Sequence, residues 1–192
     1  MCWHLHGNGR SVSVMRASCS IPVSDFTKKY CSPLGDITIA SDGTSLVGLW
    51  FDGQKHFAES LSIGHVEQAD LPVFRQTEAW LDSYFGGEQP SFTPPLLMRT
   101  SEFRKRIWAE LLNIPYGETV TYGHIAKILA RERGLSSFSA QAVGNAVAHN
   151  AISLIIPCHR VVGINGSLIG YAGGLERKAF LLQMEKVRKS SH

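Results

Sequence analysis

The residues with the clearest capacity for chemistry lie in Pro157-Cys158-His159-Arg160-Val161, directly after the apolar run Leu154-Ile155-Ile156. A cysteine ending a buried segment is by default an inert core thiol, because free cysteine is among the most buried residue types. Its neighbours argue otherwise: an imidazole and a guanidinium follow at once, and both favour thiolate over thiol. Pro157 restricts the backbone in front of it. The chemistry to expect is that of a thiolate nucleophile. Cys2, Cys19, Cys31 and Cys158 show no CxxC spacing, so neither a disulfide framework nor a zinc site is indicated, and one thiol remains. Cys2, His4, His6 and Cys19 are metal-ligand types, yet their irregular surroundings read as a disordered leader.

A chain of 192 residues, 44% of them hydrophobic, fits one domain or two small ones sharing a core. No apolar run is long enough to span a membrane and no secretory signal is evident, so a soluble, intracellular protein is expected. A monomer in the cytoplasm, nucleoid-associated, or in the nucleus of a eukaryote, is a separate expectation. Charge is unevenly placed. Residues 1–98 hold six Lys and Arg against ten Asp and Glu, giving −4, whereas residues 99–192 hold thirteen against six, giving +7. A basic second half favours a polyanionic partner through counterion release.

The elements that must position the thiol are legible in part. Residues 1–25 show no period and are read as a flexible leader. SPLGDITIA and SLVGLWF, separated by the turn formers Ser41-Asp42-Gly43-Thr44, read as a hairpin. Val73, Thr77, Trp80, Leu81 and Tyr84 stripe a helix that Gly86-Gly87 stops, and proline-rich Gln89–Leu97 reads as a linker. Phe103, Ile107, Leu111 and Leu112 mark a second helix, closed by Ile114-Pro115-Tyr116-Gly117. Thr121 caps a third helix, and a fourth runs over Ala140–Ala148 after RERGLSSFS, suggesting a helix-turn-helix. The alanines, valines and glycine of that fourth helix allow close approach of another backbone. Gly163-Ile164-Asn165-Gly166 is turn-like, Gly170–Gly174 is a close-approach loop, and Leu175, Ala179 and Leu182 stripe a last helix ending near Glu185.

The strings IPYGETVTYG, AVGNAVAHN, PCHRVVG and GYAGGLERK, in this order and spacing, resemble the O6-alkylguanine-DNA alkyltransferase family from about Tyr30 to Val187. The resemblance implies an α+β fold: a small N-terminal α/β lobe with a short sheet over residues 26–97, and a mostly helical lobe over residues 98–192 carrying a winged-helix-like helix-turn-helix. It implies stoichiometric transfer of the alkyl group of O6-alkylguanine, and of O4-alkylthymine, in double-stranded DNA to Cys158, with the base flipped through the minor groove and without cofactor or metal.

By position, Cys158 matches the alkyl acceptor, His159 the base acting through a bound water, and Glu185 the carboxylate orienting it. Asn150 matches the residue shaping the adjacent turn, and Tyr171 the donor to the flipped guanine. Lys178 matches the lysine supporting Tyr171, while Val161, through its carbonyl, and Ala172 line the substrate pocket. Tyr122, Ala140, Gln141 and Gly144 match the DNA-contacting set; Arg160 is grouped with them, although the family gives it a packing role. Two residues depart from the usual pattern: Ala172 stands in place of a serine, and Gln141 in place of an arginine that fills the gap left by the base. A cysteine hydrolase would use residues distant in sequence and turn over repeatedly. A lesion-binding relative without an acceptor is disfavoured by Cys158 itself, and a major-groove regulator by the small side chains of 140–148.

Overall fold

The computed structural model describes residues 24–67 and 70–189. Most of the expected leader, with Cys2, His4, His6 and Cys19, lies outside them. Its last residue does not behave as leader. Asp25 is fully buried, and its carboxylate accepts from Arg99 Nη1 at both oxygens (2.8 and 2.7 Å) and from the Ser62 amide. The partner lies 74 residues away, where no local pattern reveals it.

The expected hairpin is the second half of a three-stranded meander. Strand β1 (Phe26–Ser32) pairs antiparallel with β2 (Gly35–Ser41), and β2 with β3 (Leu46–Phe51), while the short β4 (Val66–Glu67) joins β1 in parallel, giving the order β3-β2-β1-β4. Ser32–Gly35, read as the start of a strand, is instead the turn between β1 and β2: Ser32 Oγ accepts from the Leu34 amide and donates to the Gly35 carbonyl. Asp42 Oδ1 closes the next turn by accepting from the amides of Thr44 and Ser45.

Helix α1 (Pro72–Gly86) packs on this sheet through the expected residues, joined by Phe74. Gly87 ends it in the left-handed conformation (φ 89°), where glycine carries no Cβ penalty. The stretch Gln89–Leu97 is not a free linker. Leu46 N donates to Pro95 O and Leu97 N to Leu46 O, so the chain lies along the outer edge of β3. Farther along that edge, Leu49 N donates to Ala151 O and Ser153 N to Leu49 O. Prolines suit such a place because an edge position tolerates a missing donor.

Helix α2 (Glu102–Leu112) buries Ile107, Trp108 and Leu111 and leaves the expected Leu112 exposed; Trp108 Nε1 donates to Ala146 O. The short β5 (Val120–Thr121) leads into α3 (Tyr122–Glu132), capped by Thr121 Oγ1 accepting from the His124 amide. Helix α4 (Ala140–Ala148) starts at Ser139, whose Oγ accepts from the Ala142 amide; such caps each contribute about 1 kcal/mol. Helices α3 and α4 pack together, and β5 pairs in parallel with β6 (Val161–Val162).

Helix α5 (Leu175–Lys189) runs past Glu185, and its inward face differs from the expected stripe. Leu175 and Ala179 are exposed; Lys178, Leu181, Leu182 and Glu185 are buried. Hydrophobic periodicity fails here because half of the buried face is ionisable. The main core links Ile37, Leu49 and Phe51 of the sheet through Trp108 and Val143 to Ile156 and Leu181, and a smaller cluster holds Ala40, Val47 and Trp50. No helix among the described residues is long and apolar enough to cross a membrane.

Candidate active site

Cys158 is reached by a turn, not a strand. After α4, Asn150 Oδ1 accepts from the Ile152 amide (3.1 Å), and Nδ2 donates to Ile156 O (2.8 Å) and to Cys158 Sγ (3.1 Å). One amide side chain thus folds the segment and touches the sulfur. Leu154 adopts a left-handed backbone (φ 69°) that costs a non-glycine residue about 1–2 kcal/mol. Its burial and the pairing of Ala151–Ser153 on β3 hold it there. Cys158–Arg160 then form one turn of 3-10 helix, all three buried.

The side chains of His159 and Arg160 converge on Glu185. Its Oε1 accepts from His159 Nε2 (2.8 Å), from the Tyr84 hydroxyl (2.7 Å) and from Arg160 Nη2 (3.1 Å); Oε2 accepts from Arg160 Nε (2.9 Å) and the Gly117 amide (3.0 Å). Because a carboxylate only accepts, the imidazole proton sits on Nε2 and Nδ1 keeps its lone pair. That Nδ1 is buried with no protein partner among the described residues. Arg160 also donates to Ile114 O and lies over the Tyr116 ring, 5.5 Å from its centroid. This corrects two expectations. Arg160 does not face a DNA surface, and its charge is engaged by Glu185, leaving it no part in favouring the Cys158 thiolate.

Burial sets the resting protonation of the site. It pushes the Cys158 thiol up, opposed by the Asn150 hydrogen bond and the Lys178 charge. It pushes His159 down despite the pull of Glu185, so the imidazole is neutral near neutral pH. Burial also works to raise the Glu185 carboxyl, but the hydrogen bonds and charges of His159 and Arg160 outweigh it and hold it well below the usual carboxylate range. The ground state is therefore a thiol with a neutral imidazole, not a preformed thiolate.

The loop after β6 closes over these groups. Asn165 and Gly166 turn it in the left-handed region, as the turn-like sequence predicts. Tyr171 is buried with its ring 6.4 Å from that of His159, and its hydroxyl has no partner among the described residues. Gly173 is required beneath it, since a Cβ there would come within 2.6 Å of the Tyr171 ring. Lys178 does not bond Tyr171: its Nζ donates to Val161 O (2.6 Å) and Ile169 O (2.7 Å), tying the loop's two ends together. Burial brings Lys178 down to about 8. Ala172 O accepts from the Lys55 amide, joining the loop to the segment after β3.

Tyr122, Ala140, Gln141 and Gly144, four of the five residues expected to face DNA, line one largely apolar groove of about 550 Å³, with Ile164, Ile169 and Gly170 opposite. The Tyr122 hydroxyl contacts the carbonyls of Ile169 and Gly170, closing the groove floor. Sequence reasoning missed Tyr84, which reaches the site from α1 and was read as part of an apolar stripe. Its signal was a phenol among wholly buried residues, where a hydroxyl needs a partner. The Gly117 amide, also missed, belongs to a turn whose contact with Glu185 spans 68 residues.

Two family models match. One, for the 6-O-methylguanine DNA methyltransferase DNA-binding domain, covers residues 102–187; the other, for the ribonuclease-like domain of the same methyltransferase, covers residues 26–98. A Mycobacterium leprae methylated-DNA–protein-cysteine methyltransferase is 41% identical over 155 residues, 81% of this chain and 88% of the relative. One from Haemophilus influenzae is 40% identical over 159 residues, 82% of this chain and 84% of the relative. Mycobacterium tuberculosis OGT, solved in complex with DNA, superposes with a TM-score of 0.72 at 40% identity, covering 85% of this chain and 94% of that one. Matches on both sides of residue 100, with similarity running through fold and sequence alike, leave one assignment: this chain belongs to the 6-O-methylguanine DNA methyltransferase family.

Proposed function

We propose that this chain repairs DNA directly, moving the alkyl group of O6-alkylguanine, and of O4-alkylthymine, onto Cys158 Sγ. The observation that carries the reading is the buried Cys158 thiol, contacted by Asn150 and followed at once by a neutral His159 whose tautomer Glu185 fixes. As the sulfur attacks, its proton passes through a water to His159 Nδ1. The S–C bond forms, the C–O6 bond breaks, and its electron pair goes to the purine. The Tyr171 hydroxyl, which has no protein partner among the described residues, donates to a ring nitrogen as that charge develops. Lys178 and the Val161 and Ala172 backbone shape the pocket wall. The thioether product is a poor electrophile, so each monomer acts once.

An alkyl carbon on guanine O6 lies within the base stack, so the nucleotide must leave the duplex at a cost of a few kcal/mol. The groove of Tyr122, Ala140, Gln141 and Gly144 supports minor-groove docking because its lining is largely apolar and Ala140 and Gly144 project almost no side chain into it. Residues 98–192 are the DNA-binding and acceptor unit in this reading. Incubation with a duplex containing O6-methylguanine, followed by intact-mass and peptide analysis, is expected to find one methyl per chain on Cys158 and no further turnover. Methyl on another residue, or release of free methanol, would overturn the proposal.

Gln141 is exposed at the groove and is assigned to fill the space left by the base. Glutamine has a flat end but no charge. Gln141→Arg should raise DNA affinity and steepen its salt dependence, whereas Gln141→Gly should slow duplex repair far more than reaction with free O6-benzylguanine. Equal slowing of both substrates removes Gln141 from base extrusion.

A further inference from the structure

A second cluster of ligand-type side chains lies away from Cys158. His56 and Glu59 belong to the segment after β3, and His149 is the C-cap residue of α4. One ligand atom from each lies within 4.8 Å of the others. The geometry points to a binding site for a divalent cation of the zinc class, formed by His56, Glu59 and His149 and independent of alkyl transfer.

Three features support the assignment. First, His149 Nδ1 lies 2.8 Å from the Asn145 carbonyl, which can only accept, so Nδ1 carries the proton and Nε2 keeps a lone pair for a metal. A ring proton held by a backbone carbonyl is the usual support of a metal-ligating histidine. Second, the two imidazoles are stacked with centroids 3.8 Å apart, so both rings are already gathered beside the Glu59 carboxylate; His56 Nδ1 lies 2.7 Å from Glu59 Oε1 and carries the proton there, so His56 ligates through Nε2 or gives up that proton as the metal enters. Third, the segment is set in shape before any ligand arrives: His56 and Ala58 both adopt left-handed backbone conformations, at φ 59° and 58°.

The cluster borders a cavity of about 110 Å³, room for an ion and a few waters. Donors around tetrahedral zinc sit about 3.3 Å apart, given bonds of about 2.0–2.2 Å, so side-chain rotations of about 1 Å close the set. Two nitrogen donors and one carboxylate suit zinc over calcium or magnesium, which prefer all-oxygen shells. Arg99 and Arg104 also border the cavity and oppose a cation. Arg99 is neutralised by Asp25, leaving Arg104 as the opposing charge. A metal here would clamp the segment after β3 to the residue preceding Asn150.

The test uses the full chain, dialysed against chelator. Titration with Co2+ is expected to give one bound ion per chain with ligand-field absorption and no thiolate charge-transfer band. Zn2+ at a hundred-fold excess over its Kd should raise the melting temperature by roughly 5–10 °C. His56→Ala and His149→Ala should each weaken binding at least about ten-fold, and Glu59→Gln should weaken it as well. His56 lies in a surface segment, so its variant reports on binding even if His149→Ala disturbs the end of α4. No binding by the wild-type chain overturns the site. So does binding that survives both histidine changes, or a thiolate band, either of which places the metal on cysteines elsewhere.

Discussion

A Cys158→Ala chain is expected to bind an O6-methylguanine duplex and leave it unrepaired. The change removes the atom that forms the new bond, and no second thiol stands beside it among the described residues, where the other cysteine, Cys31, is exposed on β1. The fold should survive. Asn150 keeps Ile152 and Ile156 as partners, and losing one buried sulfur costs about 1 kcal/mol. DNA affinity should stay within about two-fold, because the groove of Tyr122, Ala140, Gln141 and Gly144 does not include Cys158. Gel-shift titration and restriction of the repaired site read the two properties separately. Repair by the alanine chain at the wild-type rate would sink the acceptor assignment.

Glu185→Gln should damage stability and chemistry together. Tyr84, His159, Arg160 and Gly117 all donate to this carboxylate, and an amide presents one oxygen and a donor NH2 to the same groups. Donor then meets donor, and the Arg160 charge is left buried without its counter-ion, a loss of about 3–5 kcal/mol. Alkyl transfer should fall at least about a hundred-fold as His159 loses its fixed tautomer. The pH dependence follows from direction. The folded carboxyl lies below its ordinary value of 4.5, so its stabilisation is complete above that pH and is lost as pH falls through the folded value. Wild-type melting temperature should therefore drop on acidification below about pH 4.5 with a component that the glutamine chain lacks. Equal melting of the two chains at pH 7 would show that the buried network contributes nothing.

How much of this was legible depended on whether a residue's partners were near it in sequence. The Cys158-His159 pair is contiguous, and the cap at Thr121 acts within three residues, so both could be read directly; the equally local cap at Ser139 was passed over inside a run of serines. The stripe of α1 was right because nearly all of its buried residues are apolar; that of α5 held only at Leu182 because its buried face also carries Lys178 and Glu185. Strand β1 was missed since Lys28-Lys29 masks its alternation. Arg160 was misplaced because adjacency to Cys158 says nothing of direction on a 3-10 turn, where successive side chains diverge. Glu185 entered as a site residue only through family resemblance, and Tyr84 and Gly117 entered only as a stripe residue and a turn residue, since nothing local links any of them to residue 159.

The shared edge of β3 carries a practical consequence. All six residues of Leu46-Val47-Gly48-Leu49-Trp50-Phe51 are buried and none is charged, and among the described residues the strand's outer edge is hydrogen-bonded by residues 95–97 and 151–153. Cutting the chain near residue 100 to obtain two fragments would strip the second cover and loosen the first, baring an uncharged, aromatic, hydrogen-bonding strand of the kind that seeds intermolecular sheets. A fragment ending near that point should precipitate where the intact chain stays in solution.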